Sequence, residues 1–318
     1  MTKISDLEKR VAKLEKDIAS LMKDDTVTLE TKGTSAKTKK STKGKSTQGK
    51  TKKKRKINKY FQMMLAAKKA GKLLIELTPA IPLPAIERKK LMDKADRKVH
   101  DSIYETLRKA FPNQRYLSVF SENQSFITDG ALWIIDPIVG LGNFGRGNPH
   151  YALSIALNID DVTTVGVIYN PVFNELFTCI KGQGAYLNNN SISISKTLHL
   201  KDALLSTRFP YDLSEKNKSI LNVYNDMVLR CEDVLNHATA TLDLAYVAAG
   251  RFDGFWAKGM NPWDLTAAAL LIKEAGGKVT TLSGDNHSTE STEIIATNGA
   301  IHKEVVKIIA KNIKETKT

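Results

Sequence analysis

The chain has 318 residues, of which 42% are hydrophobic, and carries a formal net charge of +14. That length is enough for one large domain or two ordinary ones with a sizeable core. The two cysteines, Cys179 and Cys231, have no CxxC or Cys/His spacing, which argues against a disulfide framework or a zinc knuckle. The sequence contains no apolar signal core at its N-terminus and no run of roughly 18 apolar residues. We therefore expect a cytoplasmic protein without a membrane span.

Residues 1–23 carry a heptad pattern. Ser5 and Glu8 can form a capping box at its start. β-Branched residues at a and Leu at d favour a parallel two-stranded coiled coil, so we expect a homodimer. Because three heptads are marginal alone, an amphipathic helix docked on the rest of the chain is the alternative. The apolar positions alternate in steps of three and four, at Ile4, Leu7, Val11, Leu14, Ile18 and Leu21.

The positive charge is concentrated in one segment. Residues 31–59 hold 13 Lys and Arg and no acid, which leaves +1 for the rest of the chain. A segment of Lys, Ser, Thr and Gly cannot bury an apolar face, so residues 24–59 are predicted to be a disordered linker. The linker is either a solvated tether or an arm that binds nucleic acid or another polyanion. The polyanion-binding side chains would be Lys52, Lys53, Lys54, Arg55 and Lys56.

A folded domain is predicted over residues 60–312, followed by a tail at 313–318. Residues 60–77 and 95–111 have the 3.6-residue apolar period of helices. Short apolar runs between turns then predict a largely antiparallel sheet. Helical and strand patterns alternate from "TLDLAYVAAG" to "HKEVVKIIAKNI". This order predicts an α+β half at 60–197 and an α/β half at 198–312, stacked in layers.

The stretch "GLGNFG" at 140–145 matches the GxGxxG pattern of dinucleotide-binding proteins. That fingerprint must open a crossover helix between parallel strands. Here Gly145, Gly147 and Pro149 follow, and then a strand-like run. We therefore do not expect a dinucleotide site.

Four blocks, taken together and in this order, resemble the inositol monophosphatase family, and most of all its bacterial SuhB-type members. The blocks are "WIIDPIVGLGNFGRGNPHYALSIAL", "GVIYNPVFNELFTCIKGQGAYLNN", "LDLAYVAAGRFDGFW" and "PWDLTAAALLIKEAGGKVT". The resemblance implies a layered αβαβα sandwich of the inositol monophosphatase and fructose bisphosphatase type. It also implies Mg2+-dependent hydrolysis of inositol or sugar phosphate monoesters. It does not extend to residues 1–59.

The resemblance implies a Mg2+ site and a set of catalytic groups. Mg2+ prefers hard oxygen ligands and lowers the pKa of the attacking water. By resemblance, Asp96 orients that water, Glu122 and Asp136 combine metal binding with catalysis, and backbone amides hold the phosphate. The alternative for Asp264 is an ordinary N-cap. The metal ligands would be Glu122, Asp136, the carbonyl of Ile138 and Asp264, and the phosphate-binding amides those of Gly140, Leu141 and Gly142.

The chain departs from the family pattern at several positions, and three of them bear on function. The motif DPxDGTTNF reads "DPIVGLGNF", so Val139 replaces a metal ligand and Leu141 a threonine that positions the water. Ala257 stands where many members carry a glutamate that contacts the substrate. Losing a group that activates the nucleophile costs about 10²- to 10⁴-fold in rate. We expect a weakened phosphatase; the alternative is an inactive phosphatase-fold scaffold that binds polyanions through its basic arm.

No second catalytic system is apparent in the sequence. The histidines are dispersed, without HxH or HExxH spacing, so we expect them in packing and surface roles. Cys179 lies inside an apolar run, which predicts a buried structural thiol. The six histidines are His100, His150, His199, His237, His287 and His302.

Overall fold

A computed structural model describes residues 48–121, 130–210 and 219–315, with side chains from 59 to 313 within those ranges. The heptad pattern of residues 1–23 and most of the predicted linker lie outside the described residues. Two long helices come first, α1 at Gln48–Leu77 and α2 at Ala85–Ala110. None of the described helices is long and apolar enough to cross a membrane.

Helix α1 begins at Gln48, so residues 48–59, which composition places in the disordered linker, form its first turns. From Lys50 to Ala70 the sequence has no Gly or Pro, and Lys, Arg and Gln are good helix formers. The helix propensity of these residues therefore allows the first helix to extend into the basic segment. The start of the predicted linker at residue 24 lies outside the described residues and stays a prediction.

The first sheet has seven strands that follow the chain order from edge to edge. The β1/β2 pair is parallel and the other pairs are antiparallel, which confirms the predicted strand arrangement. The strands are β1 Arg115–Ser118, β2 Ala131–Val139, β3 Ala152–Ile159, β4 Val162–Asn170, β5 Glu175–Ile180, β6 Ala185–Leu187 and β7 Asn190–Ile192.

The second sheet has five strands: β8 Leu204–Arg208, β9 Asp233–Leu235, β10 Gly254–Lys258, β11 Lys278–Thr280 and β12 Glu293–Thr297. Their spatial order is β11, β12, β10, β8, β9. Strand β10 is antiparallel to β12 and parallel to β8, so the second sheet contains both parallel and antiparallel strand pairs. The sequence patterns predict β10, β11 and β12, but β8, β9 and helix α4 (Ser219–Val228) have no counterpart among the predicted elements.

Alternating side chains connect the first sheet to two separate cores. On β2, Trp133 and Ile135 face helices α1 and α2, whereas Leu132 and Ile134 face the opposite side of the sheet. This is the period of two expected of a strand. Because both faces of the strand are covered, its sequence reads as a nearly continuous apolar run.

The opposite side of the sheet packs against a middle layer of two helices, α5 (Ala240–Ala248) and α6 (Pro262–Glu274). The inner face of the second sheet, including Phe255 and Ile294, closes the same core. Its outer face packs against α4 and α7 (His302–Glu315) through residues such as Trp256 and Ile309. The order of layers is therefore αβαβα, as the sequence resemblance implies.

One turn of helix, α3 (Leu141–Phe144), lies between β2 and β3. These two strands are antiparallel, so the connection is not the crossover of a dinucleotide-binding unit. Gly140 precedes the turn with φ +80°, in the left-handed region that favours glycine. A Cβ atom at Gly140 would lie 2.2 Å from Thr239 Cγ2 and 3.0 Å from the carbonyl oxygen of His150. Both the positive φ angle and the lack of room for a Cβ atom therefore require glycine at position 140.

Replacing Gly140 by alanine is expected to lower the free energy of unfolding by about 3 kcal/mol or more, because it combines backbone strain with a buried clash. Gly299→Ala is the matched control. Gly299 has φ +88° and no atom within 4 Å of an added Cβ, so it reports the backbone strain alone. The measurement is urea unfolding of both variants. Equal losses in the two would contradict the contact with Thr239.

Candidate metal and phosphate site

Asp136 is buried at the end of β2. The ladder with β3 pairs Asp136 with Ser154 and then Val139 with Ala152, so β2 contains one extra residue. Pro137 falls in this bulge and has no N–H to donate to the ladder. The backbone N–H of Ile138 donates to the Asp136 carboxylate instead. The bulge thus fixes the carboxyl group at the end of the strand.

Asp264 lies in the first turn of α6, in the middle helical layer. Its Oδ2 accepts the backbone N–H of Asn261 at 2.8 Å, and the two residues form a capping box in which Asn261 is the N-cap. The ordinary N-cap suggested as an alternative for Asp264 is therefore supplied by Asn261. Arg208, at the end of β8, lowers the pKa of Asp264 electrostatically, although burial is the largest effect and raises it.

The carboxyl groups of Asp136 and Asp264 lie close enough for each to affect the pKa of the other. Burial raises the pKa of Asp136 well above its usual range, and the nearby Asp264 and Asp96 raise it further. Two neighbouring carboxylates can only accept hydrogen bonds, so their proximity favours the protonated form of Asp136.

Asp96, on α2, completes a cluster of three acids that we call the acid cluster: Asp96, Asp136 and Asp264. Burial raises the pKa of Asp96 to about 6, an effect that Arg97 opposes and Asp93 reinforces. The three residues come from an outer helix, a strand and a middle helix, so stacking of the layers brings them together. Glu122, the fourth predicted acid, lies outside the described residues.

The three residues that depart from the family motifs, Val139, Leu141 and Ala257, have apolar side chains that pack in the cores of the protein. Val139 is 5% exposed and packs in the core between the sheets. Leu141 is half-buried against the core beneath α1 and α2. Ala257 on β10 is completely buried in the core between the sheets. None of these side chains offers an oxygen or nitrogen to a ligand.

The turn after Gly140 presents backbone N–H groups. Leu141 and Gly142 open α3, and the first N–H groups of a helix have no earlier carbonyl within that helix to bond. The turn's own bonds run from the N–H groups of Asn143 and Phe144 to the carbonyl of Gly140. The predicted phosphate-binding amides therefore lie directly after the strand that carries Asp136.

This arrangement agrees with comparison to known proteins. Residues 56–314 match the inositol monophosphatase family. The chain belongs to this family. The Escherichia coli (strain K12) relative, named Nus factor SuhB, is 35% identical over 253 residues, which cover 79% of this chain and 93% of the relative.

Two solved structures give the same result. The SuhB protein of Bartonella henselae aligns with a TM-score of 0.70 at 34% identity, covering 78% of this chain and 98% of the other. The inositol monophosphatase of Anabaena (Nostoc) sp. PCC 7120 aligns with a TM-score of 0.71 at 33% identity, covering 79% and 95%. These matches confirm the family and the layered fold expected from the four sequence blocks.

Proteins of the inositol monophosphatase family are generally metal-dependent. The acid cluster offers carboxylate oxygens, which are the ligands that Mg2+ prefers. A divalent cation would offset the electrostatic repulsion between Asp264 and the buried Asp136. Val139 removes the oxygen that a second ion would require at that position. Asp136 and Asp264 are thus the described side chains that would hold the ion.

Two features of the candidate site and its surroundings were not predicted from the sequence. Arg208 was not singled out, yet it acts electrostatically on Asp264. His150 and His237, expected in packing or surface roles, lie with their ring centroids 4.5 Å apart, and both contact Asp243. These two histidines are separated by 87 positions in the chain, so only the tertiary fold could reveal the contact.

Other histidines and Cys179 do have the expected structural roles. His302 is buried and hydrogen-bonded to Thr280 and Thr297, and burial lowers its pKa to about 4. His100 bonds to Ser118 and stacks on Tyr104. Cys179 is 1% exposed, which confirms the buried thiol.

Asp96→Asn is expected to stabilise the metal-free protein at pH 7.5. The folded-state pKa is about 6, whereas an unfolded aspartate has a pKa of about 3.9. The folded state therefore binds more protons between these values, and stability falls as the pH rises through that window. Removing the ionisable group should recover on the order of 1–3 kcal/mol above pH 6 and almost nothing below pH 4.

The measurement is urea unfolding in EDTA at several pH values. Glu105→Gln, an exposed change on the same helix, is the matched control and should be nearly neutral. A gain in Asp96→Asn that is equally large at pH 4 would contradict burial of the charge as its cause.

Proposed function

We propose that this protein binds one Mg2+ ion and a small phosphate monoester at the acid cluster and hydrolyses the ester slowly. The observation that carries the proposal is the proximity of Asp96 and Asp264 to Asp136, which precedes the Gly140 turn by four residues. Its membership of the inositol monophosphatase family supports inositol or sugar phosphates as the substrate class. The positive Arg208 near Asp264 favours an anionic ligand in the same place.

Each group has a distinct role in this proposal. Asp136 and Asp264, with the carbonyl of Ile138 and with Glu122, hold the ion, which when bound neutralises phosphate charge and lowers the pKa of water. Asp96 accepts a proton from the attacking water. In the metal-free protein burial raises the pKa of Asp96 to about 6, the direction that makes a carboxylate a better base. The N–H groups of Leu141 and Gly142 donate to phosphate oxygens.

Slow turnover follows from two side chains. Val139 offers no ligand oxygen, so the arrangement supports one ion rather than two at this point. Leu141 cannot hydrogen-bond to the water, so Asp96 alone orients it. The two losses affect the same nucleophile and need not add, but each alone typically reduces the rate by about 10²- to 10⁴-fold.

The deciding experiment measures Mg2+-dependent phosphate release from a panel of inositol and sugar monophosphates. We expect slow release from the natural protein and a rate at least about 100-fold higher from the Val139→Asp, Leu141→Thr double variant. Asp136→Asn should abolish release in both backgrounds because it removes a central ligand.

Val139 is buried, so an aspartate there destabilises the fold in the absence of the ion. The Val139→Asn, Leu141→Thr variant controls for this effect, since asparagine has the same shape without the charge. Circular dichroism must show that both variants are folded. An ordinary enzyme rate in the natural protein, or equal rates in the Asp and Asn variants, would contradict the assigned roles.

A second candidate function is polyanion binding by residues 31–59. Two observations favour it: this segment holds 13 basic and no acidic residues, and related proteins bear the name Nus factor. In this proposal the phosphatase fold is a scaffold, dimerised by the heptads of residues 4–21, and the arm binds RNA or DNA phosphates. Such binding weakens steeply with salt because it releases counterions.

The test is a gel shift with single-stranded RNA at two salt concentrations. Changing the five basic residues from Lys52 to Lys56 to glutamine should weaken binding by at least about tenfold and flatten its salt dependence. The matched control changes five exposed lysines of α2 and should bind as the natural protein does. They are Lys89, Lys90, Lys94, Lys98 and Lys109. Salt-sensitive binding that survives deletion of residues 31–59 would exclude the arm as the contact.

A further inference from the structure

His150, His237 and Asp243 form a compact group, which we call the HHD cluster, apart from the acid cluster. One ligand atom from each residue lies within 4.8 Å of the other two. Asp243 lies on α5, His237 just before that helix, and His150 just before β3. The cluster therefore joins the first sheet to the middle helical layer.

The carboxyl group of Asp243 is the buried centre of the cluster. Its side chain is 1% exposed, and its Oδ1 lies 3.0 Å from His237 Nδ1 and 3.4 Å from His150 Nε2. Its other oxygen, Oδ2, is buried and has no hydrogen-bond partner among the described residues. A buried carboxylate with one unsatisfied oxygen is costly unless a further group or cation contacts it.

The distances suit a transition metal. In a tetrahedral zinc site with bonds of about 2.0–2.1 Å, neighbouring ligand atoms are about 3.3 Å apart. The two nitrogen–oxygen separations, 3.0 and 3.4 Å, are close to that value. Without a metal the same separations serve as hydrogen bonds. Two of the three ligand-atom separations therefore already suit an ion, and the third, between the two histidine nitrogens, is at most 4.8 Å.

The ligand set also selects the kind of metal. Two imidazoles and one carboxylate suit Zn2+, Co2+ or Ni2+, whereas Mg2+ prefers oxygen ligands. His150 is 16% exposed and His237 is 32% exposed, so the cluster is open on the His237 side. A water molecule can reach a fourth position there. Three protein ligands and one open position are typical of catalytic zinc sites, whereas structural zinc sites usually have four protein ligands.

The surroundings hold the two histidines in place. The side-chain amide of Asn143 donates to the carbonyl oxygens of His150 and His237, at 2.9 and 2.7 Å. The ring of His237 stacks on Phe252, and the ring of His150 packs edge-on against Tyr246. These contacts limit movement of the backbone and of the two imidazole rings. Asn143 belongs to α3, so the HHD cluster lies against the turn that carries Gly140.

We propose that the HHD cluster binds one Zn2+ ion, or Co2+ in its place, separately from any Mg2+ at the acid cluster. The ion would cross-link His150, His237 and Asp243 and so fasten the Gly140 turn to α5. This site does not depend on the proposed phosphatase activity, because none of its three ligands belongs to the acid cluster.

The test titrates Zn2+ alone into the metal-stripped full chain, in millimolar Mg2+ to fill the acid cluster, with a competing zinc indicator. We expect one equivalent to bind with a dissociation constant below about 10 μM, and Co2+ to give the visible absorption of a four-coordinate ion. His237→Gln and Asp243→Asn should each weaken binding by at least about tenfold, since even the loss of an outer-shell contact costs 10–100-fold.

His199→Gln is the matched control, because His199 is exposed and remote in sequence from the ligands; its affinity should equal that of the natural protein. Asp243→Asn keeps the shape of the buried centre, so circular dichroism should show a native fold. Absence of binding below 10 μM would overturn the proposal. So would unchanged affinity in folded His237→Gln, or loss of zinc in Asp136→Asn instead, which would locate the ion at the acid cluster.

Discussion

The electrostatic contact between the carboxyl groups of Asp136 and Asp264 depends on the packing of two layers. Asp136 lies near the end of a strand of the first sheet and Asp264 in the first turn of a helix of the middle layer, so the two groups meet only when these layers are packed. Burial opposes ionisation of both groups, and each is influenced by the other. The bulge at Pro137 and the capping box at Asn261 each orient one partner, and binding of a cation at this point would use the same contact.

Local patterns predicted most of this architecture because each layer carries its own periodicity. The two faces of β2 contact different cores, which accounts for its unbroken apolar run, and α6 is buried on nearly every side, which accounts for its alanine-rich sequence. Strands β8 and β9 and helix α4 escaped prediction. Strand β8 (LLSTR) ends in three polar residues and β9 (DVL) has only two apolar residues, so neither gives a clear apolar run.

The candidate site was predictable to the extent that its residues sit in recognisable blocks. Asp136, Asp264 and Gly140 were named from "DPIVGLGNF" and "PWDL", and Asp96, also named from the sequence, interacts electrostatically with Asp136. The pairing of His150 with His237 was not predictable, because neither residue belongs to a spaced motif and tertiary packing alone joins them. Arg208 escaped notice for the same reason: its relevance depends on β8, an element that the sequence did not indicate.

Val139 is buried in the core between the two sheets. An aspartate at that position would place a charge in this apolar core, where it is costly unless it is paired. A valine instead adds to the apolar packing of the core. The end of β2 therefore packs against the middle helices without needing a counter-charge at this position.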